Sequence, residues 1–220
     1  MEKIFNDFED VTALWSDKTC EFSFFLKNGC KFSDSLFPVV FSNQVHSDRI
    51  MIVDIINEIA NEFENFDGFV TKKKNISLLV KSADCTPVLF YSPKNHVIGA
   101  VHSGRKGTQK NIAGKMVKMM KNEFDVNPNE ILVALGPSIS KRNYKVSKEI
   151  FQKFVEMTNI EQEFPFLDLK NTIKQQLINA GILQENINFS KICTLEDNNY
   201  HSYREDKTHY RQFSIIRLLK

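Results

Sequence analysis

Three nearly uninterrupted apolar runs in the middle of the chain constrain its fold most strongly. They are residues 76–80, 87–91 and 97–101. Runs of this kind indicate strands buried on both faces, because a strand with one face in water would alternate apolar and polar residues. The next segment, residues 108–124, has apolar residues near helical spacing. The sequence therefore predicts an α/β protein, with a mixed β-sheet core flanked by helices.

The rest of the chain also alternates between predicted strands and predicted helices. Further strands are predicted at residues 21–26, 38–45, 50–54, 131–135, 187–193 and 213–219. Helices are predicted at residues 55–63, 108–124, 148–157 and 168–180, with Ser147 as a cap and Gly181 as a stop signal. No internal repeat, low-complexity tract or linker interrupts this pattern, so we expect one domain over residues 1–220.

Composition argues against several classes of partner. The formal net charge is +2, and the one dense basic run, residues 72–74, is typical of a solvated turn rather than a nucleic-acid surface. No stretch approaches the roughly 20 apolar residues of a membrane span, and the N-terminus does not resemble a secretory signal. We therefore expect a cytoplasmic protein with reduced thiols that binds neither nucleic acid nor membrane.

Three residues that can bind metals stand beside these predicted strands: His46, Cys85 and His102. A lone cysteine or histidine is more often structural than functional. If the strands that follow Cys85 form a hairpin, however, Cys85 and His102 lie at the same sheet edge. Two imidazoles and one thiolate can hold zinc with one coordination position open, as catalytic zinc sites do. We therefore predict a zinc site at these residues, with copper as the less favoured ion.

The neighbours of these residues offer further chemistry. Arg105 and Lys106 lie in a glycine-containing loop before the predicted helix, where free backbone N–H groups would favour an anion. They could equally be exposed cations in a helix-entry turn. Asp84 is either a proton carrier beside the metal or a structural residue, a turn cap or a hydrogen-bond partner of a ligand histidine.

These motifs together resemble the YfiH/YlmD family. The matching segments, in chain order, are QVH at 44–46, DGFVT at 67–71, ADCTPVL at 83–89, HSGRKGT at 102–108, LGPSI at 135–139, YKV at 144–146 and SYRED at 202–206. Members of this family were first called laccase-domain or polyphenol oxidase proteins and were later assigned as purine nucleoside phosphorylases. The resemblance implies a YfiH-like α/β domain, with zinc held by His46, Cys85 and His102.

The resemblance also implies an activity. Expected substrates are adenosine, inosine, guanosine and methylthioadenosine, each cleaved by phosphate to a base and ribose 1-phosphate, with an accompanying adenosine deaminase activity. Cys85, His46 and Asp84 are the expected catalytic residues, while Lys27, Arg105 and Lys106 are expected to bind phosphate or substrate. Lys27 and Lys106 stand where the family usually has arginine, and a lysine keeps the charge but loses the two-pronged geometry of a guanidinium.

Two other enzyme classes remain open from the sequence. One is a metal-free cysteine hydrolase with Cys85 as nucleophile and His102 or His46 as base, because the fold resemblance extends to cysteine-dependent deamidases. Some family members are linked to peptidoglycan editing, so the substrate of such an amidase would be a muropeptide precursor. The other is a copper-dependent polyphenol oxidase, for which five histidines are few ligands.

Overall fold

Two six-stranded sheets form the body of the protein. The structure is a computed structural model that describes residues 2–20, 37–56, 58 and 60–219. In spatial order, the first sheet contains β1 (Glu2–Ile4), β2 (Val11–Trp15), β12 (Gln212–Leu218), β7 (Ser77–Ser82), β3 (Val39–Asn43) and β5 (Ala60–Glu64). The second contains β11 (Ile187–Phe189), β10 (Leu132–Leu135), β8 (Thr86–Ser92), β9 (Val97–Ser103), β6 (Gly68–Thr71) and β4 (Ile50–Ile52).

The three apolar runs become β7, β8 and β9, and they lie where the two sheets pack together. Leu78 and Val80 of β7 share one buried cluster with Leu89, Ile98 and other residues of the second sheet. These four side chains are fully buried. Because side chains alternate across a strand, the remaining apolar residues of each run cover the opposite sheet face. Burial on both faces is therefore confirmed, although the runs are divided between two sheets.

Helices cover the outer face of the second sheet. The described part of the chain contains the helices α1 (Arg105–Gln109), α2 (Ile112–Phe124), α3 (Lys148–Thr158), α4 (Leu169–Asn179) and α5 (Tyr203–Asp206). Apolar residues of α2 and α4, such as Met116 and Leu177, pack against Val88 and Val101. Both sheets contain parallel and antiparallel pairs, so the predicted mixed α/β fold is confirmed. Among the described residues, no helix has the length and apolar character needed to span a bilayer.

Two predicted helices differ from the structure. The segment 108–124 is not one helix, because Asn111 adopts a left-handed backbone with φ 57° that interrupts it. The Asn111 side chain accepts the N–H of Gly114 and so caps the start of α2. Residues 60–64 form β5 rather than the end of a helix over 55–63. In β5 half-buried and exposed residues alternate, and the strand pairs in parallel with β3. The spacing of Ala60 and Phe63 fits a helix, but in β5 the two residues lie on opposite faces, with Ala60 exposed and Phe63 half-buried.

Other predicted boundaries hold with small adjustments. Ser147 and Asp168 cap α3 and α4 through their side-chain oxygens, and Gly181 follows α4 with φ 100°. The strand predicted at 187–193 is shorter than expected, since only β11 is regular and Cys193 forms an isolated bridge with Ser138. The strand predicted at 21–26 lies outside the described residues, as do Lys27 and Cys30.

Candidate metal centre

A hairpin brings Cys85 and His102 together. Strands β8 and β9 pair in antiparallel fashion, with Pro87 opposite His102 and Thr86 opposite Ser103. Cys85 immediately precedes β8, so its side chain is near the end of β9. The hairpin predicted from the apolar runs is therefore present, and it accounts for two of the three candidate ligands.

His46 reaches the same point from the first sheet. It follows β3 and has a left-handed backbone with φ 59°. Its Nε2 lies 3.7 Å from the Cys85 Sγ, and its ring lies 4.8 Å from that of His102, centroid to centroid. The ligand-capable atoms of the three residues all fall within 4.8 Å of one another. The structure thus gathers the three residues into one cluster.

Asp67 holds this cluster in shape. Its fully buried carboxylate accepts hydrogen bonds from the backbone N–H of Val45 at 3.2 Å, of His46 at 3.0 Å and of Ser47 at 2.6 Å. The Ser47 hydroxyl adds a bond at 2.7 Å. The same carboxylate lies 2.8 Å from His102 Nδ1, which leaves Nε2 as the free ring nitrogen. One side chain therefore holds the ring of His102, as carboxylates behind metal-binding imidazoles do, and also the backbone of His46.

The opposite charges of Cys85, His102 and Asp67 stabilise one another. Burial opposes ionisation of the Cys85 thiol, but the neighbouring His102 and His46 lower its pKa to about 6. Burial likewise opposes the charged form of His102, yet Cys85 and Asp67 raise its pKa to about 9. For Asp67, burial is again the opposing effect, and bonds from His102 and Ser47 lower its pKa to about 2. The thiolate is therefore available near neutral pH, which is the form of cysteine that binds metals.

Gly104 makes room for the cluster. A Cβ at this position would lie 2.6 Å from the Cys85 Sγ and 2.9 Å from the His46 Cδ2. Any larger residue would therefore displace the thiolate or the imidazole. Two imidazoles, one thiolate, a carboxylate on the far ring nitrogen and this space fit a zinc ion held by three protein ligands.

The cluster opens into a cavity of about 1280 Å³. The cations that line it are Lys18, Lys81, Arg105, Lys106, Arg204, Lys207 and Arg211. Its aromatic and imidazole lining also includes Tyr144, Tyr203, Tyr210, His201 and His209. Among the described lining residues, Asp84 is the single carboxylate. Positive charge in such excess attracts anions, and the volume exceeds that of a drug-sized ligand pocket.

Comparison with known proteins identifies the family. A family model described as multi-copper polyphenol oxidoreductase laccase matches residues 26–219. A Campylobacter jejuni protein named purine nucleoside phosphorylase is 36% identical over 188 residues, which cover 81% of this chain and 76% of that protein. Bacillus subtilis purine nucleoside phosphorylase YlmD is 31% identical over 191 residues, covering 80% and 69%. The chain belongs to the YfiH/YlmD family.

Solved structures of YfiH/YlmD proteins share this fold. The crystal structure of Bacillus licheniformis YfiH superposes with a TM-score of 0.83 at 28% identity, covering 94% of this chain and 92% of that one. YlmD of Geobacillus stearothermophilus gives a TM-score of 0.84 at 24% identity, with 98% and 94% covered. The two-sheet architecture is therefore that of the family.

The phosphate-binding residues predicted near the metal are only partly described. Arg105 and Lys106 both line the cavity, as expected. They belong to the first turn of α1, however, rather than to a loop before a long helix, and α1 has five residues. The anion site at this helix start stays a prediction, as does phosphate binding by the two cations. Arg105 donates to Gln109 Oε1 at 3.1 Å, and Lys27 lies outside the described residues.

Asp84 makes contacts that favour the structural interpretation. Its carboxylate accepts the hydroxyls of Thr194 at 2.7 Å and Ser202 at 2.8 Å, and the backbone N–H of Arg204 at 2.6 Å. Its backbone φ is 78°, and its carbonyl accepts the N–H of Ile139 at 3.0 Å. Both carboxylate oxygens thus already bind the C-terminal part of the chain, while the proton-carrier role stays a prediction.

Sequence reasoning gave no role to two side chains of the site. Asp67 and Tyr144 were quoted only as parts of family motifs. The pKa of Tyr144 is raised by burial and by the nearby Cys85, while Arg105 and Arg204 oppose that rise. Tyr144 therefore lies near enough to the thiolate and to both guanidinium groups for their charges to shift its pKa. An acid directly before the apolar strand residues 68–70 was the one available signal for Asp67, whereas nothing local marked Tyr144.

Proposed function

We propose that this protein is a zinc-dependent purine nucleoside phosphorylase that also deaminates adenosine. Its substrates would be adenosine, inosine, guanosine and methylthioadenosine, cleaved by phosphate to the base and ribose 1-phosphate. The observation that carries the proposal is the position of the His46–Cys85–His102 cluster in a large cation-lined cavity. The names of the Campylobacter jejuni and Bacillus subtilis relatives support the same reaction class.

The metal would be held by His46 Nε2, the Cys85 thiolate and His102 Nε2. Zinc would supply a Lewis acid that polarises an oxygen-bearing group of the reactants. Asp67 accepts a hydrogen bond from His102 Nδ1–H, so Nε2 is the ring nitrogen that would give up its proton and bind the metal. The five histidines of the chain and the single three-residue cluster found among the described residues support one metal ion rather than a multi-copper centre. One zinc ion is therefore the proposed cofactor, and copper is less favoured.

Phosphate would bind through the cations of the cavity. Arg105 and Lys106 lie three and four residues after His102, which keeps their charges close to the metal ligands. They would offset the negative charge of phosphate as it attacks C1′ of the ribose and the bond to the base breaks. Lys27 is proposed to add a further cation from the segment outside the described residues.

The purine base would bind against aromatic side chains of the same cavity. Tyr203 and Tyr210 expose about half or more of their surface, at 48% and 72%, and His201 stacks on Tyr210 with ring centroids 5.7 Å apart. Flat exposed rings suit a purine, because stacking does not depend on which hydrogen-bonding groups the base carries. Deamination would use the same base position with water in place of phosphate.

A direct test separates phosphorolysis from deamination. The purified protein is assayed for bound metals and then incubated with adenosine, with and without phosphate, before the products are separated. Adenine with ribose 1-phosphate supports phosphorolysis, and inosine supports deamination. The Cys85→Ala variant is expected to lose both the metal and the products. Absence of any product, with equal metal content in wild type and variant, would overturn the proposal.

A cysteine hydrolase is the second candidate, because Cys85, His102 and Asp67 resemble a nucleophile, base and orienting acid. The thiolate beside a charged imidazole and the 2.8 Å bond from that ring to Asp67 support it. In this case the metal-free protein would cleave an amide bond of a muropeptide precursor and would react rapidly with iodoacetamide at Cys85. Amide hydrolysis that persists after chelation and stops on addition of zinc would favour this candidate over the phosphorylase.

A further inference from the structure

The C-terminal segment contributes an arginine whose position is fixed from three sides. Arg204 lies in the short helix α5 and lines the cavity. Its backbone N–H donates to Asp84, its guanidinium donates to the Lys145 carbonyl at 3.0 Å, and the guanidinium carbon lies 5.2 Å from the centre of the Tyr144 ring. An exposed arginine on a loop is ordinarily free to move. This one is held at both its backbone and its side chain.

Arg105 approaches Tyr144 from a different element. It begins α1, just after Gly104, whose Cα faces the Cys85 thiol and His46. Both arginines line the cavity together with Cys85 and His46. Their positive charges oppose the rise in the pKa of Tyr144 that burial and Cys85 cause. Two arginines from separate parts of the chain therefore converge beside the candidate metal ligands. Among the described residues, neither arginine forms an ion pair with a carboxylate, so both charges are available to a ligand.

We propose that Arg204 and Arg105 together form the phosphate subsite beside the metal cluster, and that Asp84 is the positioning residue that holds Arg204 there. This inference rests on the proposed phosphorylase function and names the residues that bind its phosphate. Guanidinium groups suit phosphate because their planar forks donate two hydrogen bonds to adjacent oxygens. Lysine at position 106 lacks that fork, so a second guanidinium from α5 would restore it.

The hydrogen bonds of Asp84 explain how the positioning works. The residue directly precedes Cys85, and its carboxylate bonds to Thr194, Ser202 and the N–H of Arg204. Any displacement of α5 relative to Cys85 must therefore break bonds to this carboxylate. Asp84 therefore holds the backbone of Arg204 beside Cys85, while the Lys145 carbonyl and the Tyr144 ring hold its guanidinium.

Asn is an informative substitution at Asp84. Its carbonyl oxygen can accept the N–H of Arg204, while its NH₂ group can donate to the hydroxyl oxygens of Thr194 and Ser202, because hydroxyls both donate and accept. Asn also tolerates the left-handed backbone of this position. Asp84→Asn thus preserves the attachment of α5 but cannot carry a proton. Ser202→Ala combined with Thr194→Val does the reverse, since it weakens the attachment and keeps the carboxylate.

The test measures inorganic phosphate binding to the zinc-loaded full-length protein by calorimetry, together with the kinetics of inosine phosphorolysis. Arg204→Gln is expected to raise the Kd of phosphate about 10- to 100-fold, the usual effect of losing hydrogen bonds to a charged group. The KM for inosine should stay near the wild-type value. Arg142→Gln is the matched control: it removes an exposed arginine that pairs with Glu196 outside the cavity, and the Kd should not change.

The Asp84 variants test the positioning role. The Ser202→Ala, Thr194→Val double variant should raise the phosphate Kd about 5- to 50-fold, while Asp84→Asn, which keeps the attachment of α5, should keep that Kd within about threefold of wild type. A double variant with wild-type phosphate affinity would overturn the positioning role of Asp84, whatever the turnover of Asp84→Asn. An Arg204→Gln protein with wild-type phosphate affinity would overturn the subsite, as would a wild-type protein that binds no phosphate.

The same data separate this inference from the phosphorylase proposal. If wild type binds phosphate through Arg204 but cleaves no nucleoside, the subsite stands and the proposed reaction fails. If wild type cleaves nucleosides while Arg204→Gln binds phosphate normally, the reaction stands and the subsite fails.

Discussion

Asp67→Asn is the substitution that probes the metal centre most sharply. One oxygen of Asp67 faces His46 N–H and His102 Nδ1, and the other faces the N–H groups of Val45 and Ser47 together with the Ser47 hydroxyl. An asparagine has one carbonyl oxygen, so its NH₂ group must face one of these two sets of donors. If the NH₂ group faces the first set, the His46 N–H loses its acceptor. If it faces the second set, the N–H groups of Val45 and Ser47 lose theirs.

The expected loss of stability follows from these contacts. A buried donor without an acceptor costs about 1–3 kcal/mol, so the variant should lose about 2–4 kcal/mol of unfolding free energy at pH 7. The pKa of Asp67, lowered from 3.8 to about 2, gives a similar figure of about 2 kcal/mol. A lowered pKa stabilises the fold above the unfolded value near 4, and this stabilisation disappears as the pH falls through about 2. The difference in unfolding free energy between wild type and variant should therefore become smaller as the pH falls.

Metal affinity should fall in the same variant. If the NH₂ group faces His102, the ring must accept at Nδ1, which moves its proton to Nε2 and blocks the nitrogen that would bind the metal. Loss of such a carboxylate partner typically weakens metal affinity about 10- to 100-fold. Zinc affinity is measured by competition with a chromophoric chelator, and stability by urea unfolding of the metal-free protein.

Asp10→Asn is the matched control. Asp10 also pairs with a histidine, His96 Nδ1 at 2.9 Å, and accepts the Tyr91 hydroxyl, but it does not line the cavity. This control should lower stability and leave zinc affinity unchanged. If Asp67→Asn keeps its stability within about 0.5 kcal/mol and its zinc affinity within about twofold, Asp67 does not organise the site.

Three further outcomes follow from the same geometry. Gly104→Ala should lower zinc affinity at least about tenfold, because its Cβ would lie 2.6 Å from the Cys85 Sγ; unchanged zinc content after dialysis would contradict this. In metal-free protein, alkylation of Cys85 by iodoacetamide should reach half its maximal rate near pH 6, since the thiolate fraction rises with pH through the pKa; a midpoint near pH 9 would contradict the pairing with His102. Removing zinc with a chelator should lower the Tm, because a metal that binds only the folded chain stabilises it, whereas an unchanged Tm would mean that no structural metal was bound.

The sequence predicts the part of the candidate site that depends on the pairing of neighbouring strands. The apolar runs predicted the hairpin of β8 and β9, and a hairpin fixes the proximity of Cys85 and His102. His46 could not be joined to them in this way, because it comes from the other sheet and its segment is held by Asp67 through hydrogen bonds that span 20 to 22 positions along the chain. The division of the runs between two sheets was equally invisible, since burial on both faces looks the same in one sheet or two.

The cationic wall of the cavity shows a second limit of sequence reasoning. Arg204 stands in a polar stretch of sequence that shows no periodic pattern, although the structure places it in the short helix α5. Its place beside Tyr144 depends on the carboxylate of Asp84, which lies 120 positions earlier in the chain. Charge in such a stretch has no local signal that separates a ligand-binding cation from a solvated one. Residues like Arg204 emerge only when long-range hydrogen bonds are known.

The central claim is tested most directly by titrating zinc into chelator-treated protein and following ribose 1-phosphate formation from inosine in phosphate buffer. The account predicts no activity without zinc, activity that rises in proportion to added metal and a plateau at one zinc ion per chain, with Cys85→Ala inactive throughout. Full activity in the metal-free protein, or no ribose 1-phosphate at saturating zinc, would contradict it.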